Sequence, residues 1–337
     1  KLKILQRIEE MAKQRVLSGM QPSGLLHLGN LMGALENWRK LQDQYECYYF
    51  IADWHALTTN YADTSNIRTH VREMVIDWLA AGLDPEKSVL FQQSHVPEHA
   101  ILHVLLSMST PLPWLERVPT YKEKIEQLQD KDMNTYGFLG YPVLQAADIL
   151  IYRANFVPVG IDQLPHLELT REICRRFNQF YGDVFPEPQP LLTEYPKLPG
   201  TDGRKMSKSY NNCLYLSESP ESITKKVMQM VTDPARVRRQ DPGNPDVCPL
   251  FTLDKIFAPK EWQDYINVEC RRAGVGCVDD KKELLKHLLA YLKPLQERRK
   301  ELAAQPEKIT GIIAEGSRRA RIEAQKTLSE VNEAMKL

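Results

Sequence analysis

Arg15-Val16-Leu17-Ser18-Gly19-Met20-Gln21-Pro22-Ser23-Gly24-Leu25-Leu26-His27-Leu28-Gly29-Asn30 is the stretch on which the fold turns. Arg15 to Ser18 reads as a short strand ending in a glycine-rich turn. Leu28, Leu31, Leu35 and Trp38 then recur at helical spacing, which predicts a helix with one buried stripe. A strand that runs through such a turn into a helix presents free N–H groups and a positive dipole end, a ready place for an anion. Gly24 and Gly29 let backbone come close to a ligand, and His27 and Asn30 can donate hydrogen bonds toward charge developing on phosphoryl oxygens. The same residues also make sense as an ordinary turn beside a surface histidine, so this stretch does not name a ligand by itself.

Working outward, the pattern repeats. Cys47 to Ile51 and Val89 to Phe91 are short apolar strands, the stretch from Ile67 to Ala81 is helical with Gly82 as its stop, and Pro97 opens another helix. Strands alternating with helices predict an α/β fold, a doubly wound parallel sheet of Rossmann-like type. Pro and Gly cluster from Pro186 to Gly203, which reads as a long loop. Beyond Pro220 strand-like runs disappear. The expected division is a catalytic domain over 1–216 and an all-α domain over 217–337, with the C-terminal helix able to pack back on the first.

The chain has 337 residues, 42% hydrophobic and 26% charged, enough for about two domains with full cores. Lys+Arg and Asp+Glu both total 44, so any nucleic-acid partner must be met by local patches rather than net charge. No apolar run reaches the roughly 18 residues of a membrane span. Residues 1–14 read as a charged helix rather than a signal peptide, which points to the cytoplasm, with no membrane partner.

Two further segments carry chemistry. Lys205-Met206-Ser207-Lys208-Ser209, after Gly200, Asp202, Gly203 and Arg204, sets two lysines three apart on a glycine-flanked loop. They suit the neutralisation of a departing pyrophosphate, a task weighted to the transition state. Tyr141, Gln145 and Asp148 fall at i, i+4 and i+7 on one helix face. A carboxylate on so apolar a helix needs a donor, and an indole N–H or a phenol O–H would serve. Val157-Pro158-Val159-Gly160-Ile161-Asp162-Gln163 reads as a strand turning into a helix at the carboxyl edge of the sheet, where ligands bind; Asp162 suits a helix cap equally well.

With these words on the page, the chain resembles the class I aminoacyl-tRNA synthetases, and within them the bacterial tryptophanyl-tRNA synthetases. His27-Leu28-Gly29-Asn30 is similar to the family's HIGH motif with Asn30 in place of the last histidine, and Lys205 to Ser209 matches KMSKS letter for letter. The resemblance implies activation of L-tryptophan with ATP and Mg²⁺, then transfer to tRNA(Trp), by a homodimer. Tyr141 would hold the α-amino group and Asp148 the indole N–H, with Gly19, Gln145, Val157, Val159 and Gln163 on the amino acid. Gln21, Pro22, Ser23, Gly29, Asn30, Gly160, Asp162, Gln163, Lys205, Met206, Ser207 and Lys208 would lie on ATP. Tyr121-Lys122-Glu123-Lys124 resembles the loop whose second lysine adds Lys124 to His27, Asn30, Lys205 and Lys208 as a catalytic group. Gln145 departs from the family, standing where several bacterial members have methionine. The sister tyrosyl-tRNA synthetases usually carry an aromatic residue before the selecting aspartate, whereas here the pair is Ala147-Asp148. A tyrosyl enzyme is the alternative, as is a catalytically silent tryptophan- or RNA-binding regulator.

In the helical half, Arg236, Arg238, Arg239, Arg271, Arg272, Arg298, Arg299, Arg318, Arg319 and Arg321 suit either tRNA phosphates or solvated helix faces. Some tryptophanyl-tRNA synthetases hold a [4Fe–4S] cluster here on four cysteines. Cys248, Cys270 and Cys277 resemble three of them, but the fourth position is Asp280, so the expectation is a degenerate site whose cluster has been lost.

Overall fold

The computed structural model describes residues 13–118, 135–192 and 198–337. Its centre is a five-stranded sheet of β1 (Arg15–Met20), β2 (Glu46–Ile51), β3 (Ser88–Gln92), β4 (Phe156–Val159) and β5 (Gln189–Leu192), parallel throughout and ordered β3-β2-β1-β4-β5. β2 and β3 are buried nearly end to end, as strands covered on both faces must be. The connections reverse direction between β1 and β4, so the switch point of the fold lies at the carboxyl ends of those two strands. There the β1–β4 ladder is registered at Val16 and Phe156, and Pro158, which has no N–H to give, sits two residues on.

After β1 comes α1 (28–41), a helix interrupted by a π turn at Leu31–Leu35. The expected stripe is present, with Leu28, Leu31, Leu35 and Trp38 all buried and Trp38 stacked on Tyr49 at 4.5 Å. The π turn was not expected, because apolar spacing does not register a single extra residue in a turn; such bulges concentrate at functional sites. α2 (Asp53–Asn60), α3 (Ile67–Ala80), α4 (Glu98–Ser107), α5 (Tyr136–Ile151) and α6 (Leu164–Tyr181) complete the layers. β5 is a second difference. It lies within the Pro-rich stretch read as a loop, and Pro190 is tolerated because β5 is an edge strand.

The remainder is helical: α7 (Pro220–Gln229), α8 (Pro249–Phe257), α9 (Lys260–Glu269), α10 (Cys277–Ala303) and α11 (Pro306–Met335). One apolar core runs through both halves, from Leu28 and Trp78 to Leu250 and Leu288. α11 covers the edge strand β3, with the Gln92 N–H donating to Ser317 Oγ at 3.3 Å. No described helix is long and apolar enough to cross a membrane.

Four of the ten arginines take part in this packing, while Arg238, Arg239, Arg271, Arg272, Arg298 and Arg318 are exposed. Arg236 is buried; Arg299 Nε meets Asp77 at 2.7 Å, Arg319 the Pro85 carbonyl at 2.9 Å and Arg321 Glu98 at 2.8 Å. Arg271 and Arg318 pair with Asp246 and Glu315, each at 2.7 Å.

Candidate active site

A cavity of about 420 Å³ opens at the switch point. β1 and its turn contribute Gly19 and Gln21, β4 contributes Val157, Val159 and Gly160, α5 contributes Tyr141, Gln145 and Asp148, and Gln163 closes the edge. Residues up to 149 positions apart in sequence thus line one space, since Leu17 and His166 share it. Trp38, Phe50, Ile149 and Leu17 give it apolar walls, and Gly33 and Ala34 line it from the π turn of α1, which presents small residues there. Asp162 lies in the turn Ile161–Gln163 that follows Gly160. Lys124 falls outside the described residues.

The two motifs meet. Lys208 Nζ stands 3.4 Å from Ser23 Oγ, above Gly24, so the loop lysine reaches the turn after β1. The register between them is held by backbone: Leu28 N–H donates to Leu214 O at 2.9 Å and Leu216 N–H to Leu26 O at 3.0 Å. Met206 is buried beside Gly29, where a Cβ would come within 2.9 Å of the His27 ring. Asn30 Oδ1 accepts from the His27 N–H at 3.1 Å and fixes the start of α1. Pro22 is buried under the turn while Ser23 faces out.

Charge then follows from position. Burial, Lys208 and Lys205 push the His27 imidazole down to about 4, so it is neutral near pH 7 and acts as a hydrogen-bonding group rather than a cation. The cationic task falls to the lysines, and burial pulls Lys208 below its ordinary value.

Asn212, which the sequence did not single out, organises the lysine loop. Its Oδ1 accepts from Ser207 N–H at 2.8 Å, and its Nδ2 donates to Asp202 Oδ1 at 2.7 Å and to the Lys205 carbonyl at 3.2 Å.

The Asp148 carboxylate is wholly buried and takes hydrogen bonds from His55 Nε2 at 2.7 Å, His99 Nδ1 at 2.6 Å and Gln93 Nε2 at 2.8 Å. Burial alone would raise its pKa, but the two imidazoles and their hydrogen bonds outweigh it and hold the carboxyl below the ordinary range. Hydrogen bonds to a charged group at about 1.5–3 kcal/mol each are of the size needed to offset the several kcal/mol that burial costs. Tyr141 Oη lies 2.7 Å from His166 Nε2, and both line the cavity. His55, His99 and Gln93 escaped the sequence reading because no periodicity links them to Asp148, and His166 falls in a segment, Pro165 to Arg171, that resembles the family without its role being read there.

The third cluster gathers Cys248, Cys270, Cys277 and Asp280 around one small cavity. It does not fit an iron–sulfur cluster. The Arg236 guanidinium occupies the space between the thiols, 3.6 Å from Cys270 Sγ and 3.7 Å from Cys277 Sγ, and Asp280 accepts from Trp262 Nε1 at 3.1 Å.

The profile of the tRNA synthetases class I (W and Y) matches residues 9–293. The chain is 54% identical to the tryptophan–tRNA ligase of Thermotoga maritima, over 96% of this chain and 99% of that protein. The chain belongs to the tryptophanyl-tRNA synthetases. The ligase of Aquifex aeolicus is 47% identical over 96% of this chain and 100% of its own length. Among solved structures, the Campylobacter jejuni tryptophanyl-tRNA synthetase complexed with ADP and tryptophan superposes with a TM-score of 0.86 at 34% identity, covering 96% of this chain and 100% of that one. The five-stranded parallel sheet and the helical C-terminal part are thus a family architecture.

Proposed function

We infer that this chain is a tryptophan–tRNA ligase that carries out both half-reactions in the cavity between β1 and β4. A tryptophan carboxylate oxygen would bond to the ATP α-phosphorus as the bond to the bridging oxygen breaks and pyrophosphate leaves. A ribose hydroxyl of the tRNA's terminal adenosine then takes the acyl group and AMP departs. An ionised carboxylate needs no general base, so catalysis is mainly placement plus charge neutralisation. The observation that carries the reading is the single cavity with Asp148 in its wall and Lys208 beside the turn that leads from it.

In this reading Asp148 accepts the indole N–H, Tyr141 meets the α-amino group, and Gly19, Gln145, Val157, Val159 and Gln163 enclose the amino acid. Gln21, Pro22, Ser23, Gly29, Asn30, Gly160 and Asp162 hold ATP, with Met206 and Ser207 carrying Lys205 and Lys208 to the phosphates. Among the described residues no cluster of His, Cys, Asp and Glu could hold a metal. Mg²⁺ would come with the triphosphate, whose phosphate oxygens suit it as ligands. The part over 217–337 would receive the tRNA anticodon, the part over 1–216 the small substrates, and the enzyme would work as a homodimer in the cytoplasm. Pyrophosphate exchange with tryptophan and tyrosine in parallel tests this: exchange with tryptophan alone is expected, and exchange with tyrosine alone would replace the reading by its tyrosyl alternative.

A further inference from the structure

The Asp148 carboxylate offers four lone-pair positions. Gln93 and His99 take both on Oδ1, and His55 takes one on Oδ2. His55 lines the cavity, whereas Gln93 and His99 lie behind the carboxylate, each wholly buried. We propose that Gln93 and His99 are positioning residues for amino-acid selection: they saturate Oδ1 and lock the carboxylate, so that one lone pair on Oδ2 faces substrate and must be met by a single N–H donor. The proposal rests on the tryptophan reading above and deepens it.

Each anchor is itself anchored. His99 Nε2 lies 2.7 Å from Tyr152 Oη, and the deeply buried Tyr152 phenol is held far above its ordinary pKa by that burial, so it keeps its proton and donates it to Nε2. His99 is thereby fixed as the tautomer with hydrogen on Nδ1, the one that can donate to Asp148. Tyr152 in turn stacks on Tyr48 of β2, with ring centroids 4.8 Å apart. Gln93 stands in the turn Gln93–His95 after β3, and Asp53 ties that turn down by accepting from Ser94 N at 3.0 Å and from Gln92 Nε2 at 2.7 Å. Gln93 keeps Nε2 on the carboxylate although its Oε1 then finds no partner among the described residues, because the reversed amide would set two acceptors against each other. A carboxylate that can neither rotate nor shed its charge punishes any ligand that leaves its last lone pair unmet.

The test compares kcat/KM for tryptophan with that for its benzothiophene analogue, in which sulfur replaces the indole N–H, in pyrophosphate exchange by the full-length enzyme. Wild type is expected to favour tryptophan by at least ~100-fold, within the range open to sites built around a hydrogen bond. In His99→Phe that ratio is expected to shrink at least tenfold, mainly through a higher KM for tryptophan, with KM for ATP within twofold. His99→Asn, whose amide places a donor where Nδ1 was, should recover part of the ratio. Gln93→Met, which keeps the length and loses the donor, carries the same test should His99→Phe fail to fold. A ratio left unchanged while both substrates weaken equally would reduce these residues to structural supports and overturn the proposal. Wild type that activates tryptophan but does not discriminate the analogue would overturn it too, whereas wild type that does not activate tryptophan at all would fell the function reading beneath it.

Discussion

At the residue scale the site is a division of labour between charges that are held and charges that are free to meet substrate. His27 is kept neutral by burial and two nearby lysines, so positive charge toward the phosphates comes from Lys205 and Lys208. Lys208→Ala should lower tryptophan-dependent pyrophosphate exchange at least tenfold, about 1.4 kcal/mol of lost transition-state contact, with little change in KM for tryptophan. Unchanged exchange would remove Lys208 from the chemistry. Asn212→Ala tests the support beneath it. Removing the side chain that ties Ser207, Lys205 and Asp202 together should cost kcat several-fold while leaving Lys208 in place, and a loss confined to stability would contradict that role. The difference in legibility between these residues is physical. Lys205, Lys208 and His27 stand in compact words beside glycines, so the reason for them is local. Gln93 and His99 act on a carboxylate 55 and 49 positions away, and only the folded sheet makes them neighbours.

At the scale of elements, the strand–turn–helix at residues 15–41 was readable because its burial is periodic, and Tyr141, Gln145 and Asp148 shared a face because helical geometry obliges them to. The π turn and β5 were not. One depends on a shifted backbone hydrogen bond that leaves the apolar spacing intact, the other on edge position overriding what prolines usually signal. α11 lies against β3 so closely that a Cβ on Gly316 would sit 1.8 Å from the Leu90 carbonyl oxygen. In an open helix Gly→Ala would stabilise by roughly 0.5–1 kcal/mol. Here overpacking against backbone should win, so Gly316→Ala is expected to lose about 1–3 kcal/mol in urea denaturation, and a gain would mean α11 is free to shift. The helical part holds a buried pair of carboxyls, Asp254 and Asp280. Burial and the adjacent Asp280 carboxylate, which shares a hydrogen bond with it, push the Asp254 pKa up. A carboxyl raised by folding contributes stability that is present below its unfolded pKa of about 4 and is lost as pH rises through the raised value. Asp254→Asn should therefore flatten the decline of the unfolding midpoint between acid and neutral pH. An undiminished slope would place the decline elsewhere.

At the scale of the whole molecule, parallel strands with a reversal beside β1 open a gap at the carboxyl ends of β1 and β4, and the side chains with chemistry collect there. The outer surface carries its own asymmetry. Along α4, Ile101, Val104 and Met108 follow helical spacing on one side and are 47%, 49% and 75% exposed, with Leu112 just beyond at 59%. Among the described residues nothing covers that stripe, and we propose it as the self-complementary contact of the homodimer across a two-fold axis. In such an isologous contact every substitution is doubled, since each protomer brings its own copy to the interface. Val104→Asp would set two carboxylates into the same apolar seam, where desolvation and mutual repulsion both oppose association. The expected outcome is a shift from dimer to monomer in sedimentation velocity at micromolar concentration, with the thermal unfolding of each protomer little changed because residue 104 already faces outward. A variant that still sediments as the wild type does would move the interface away from α4, and a monomeric wild type would remove it altogether.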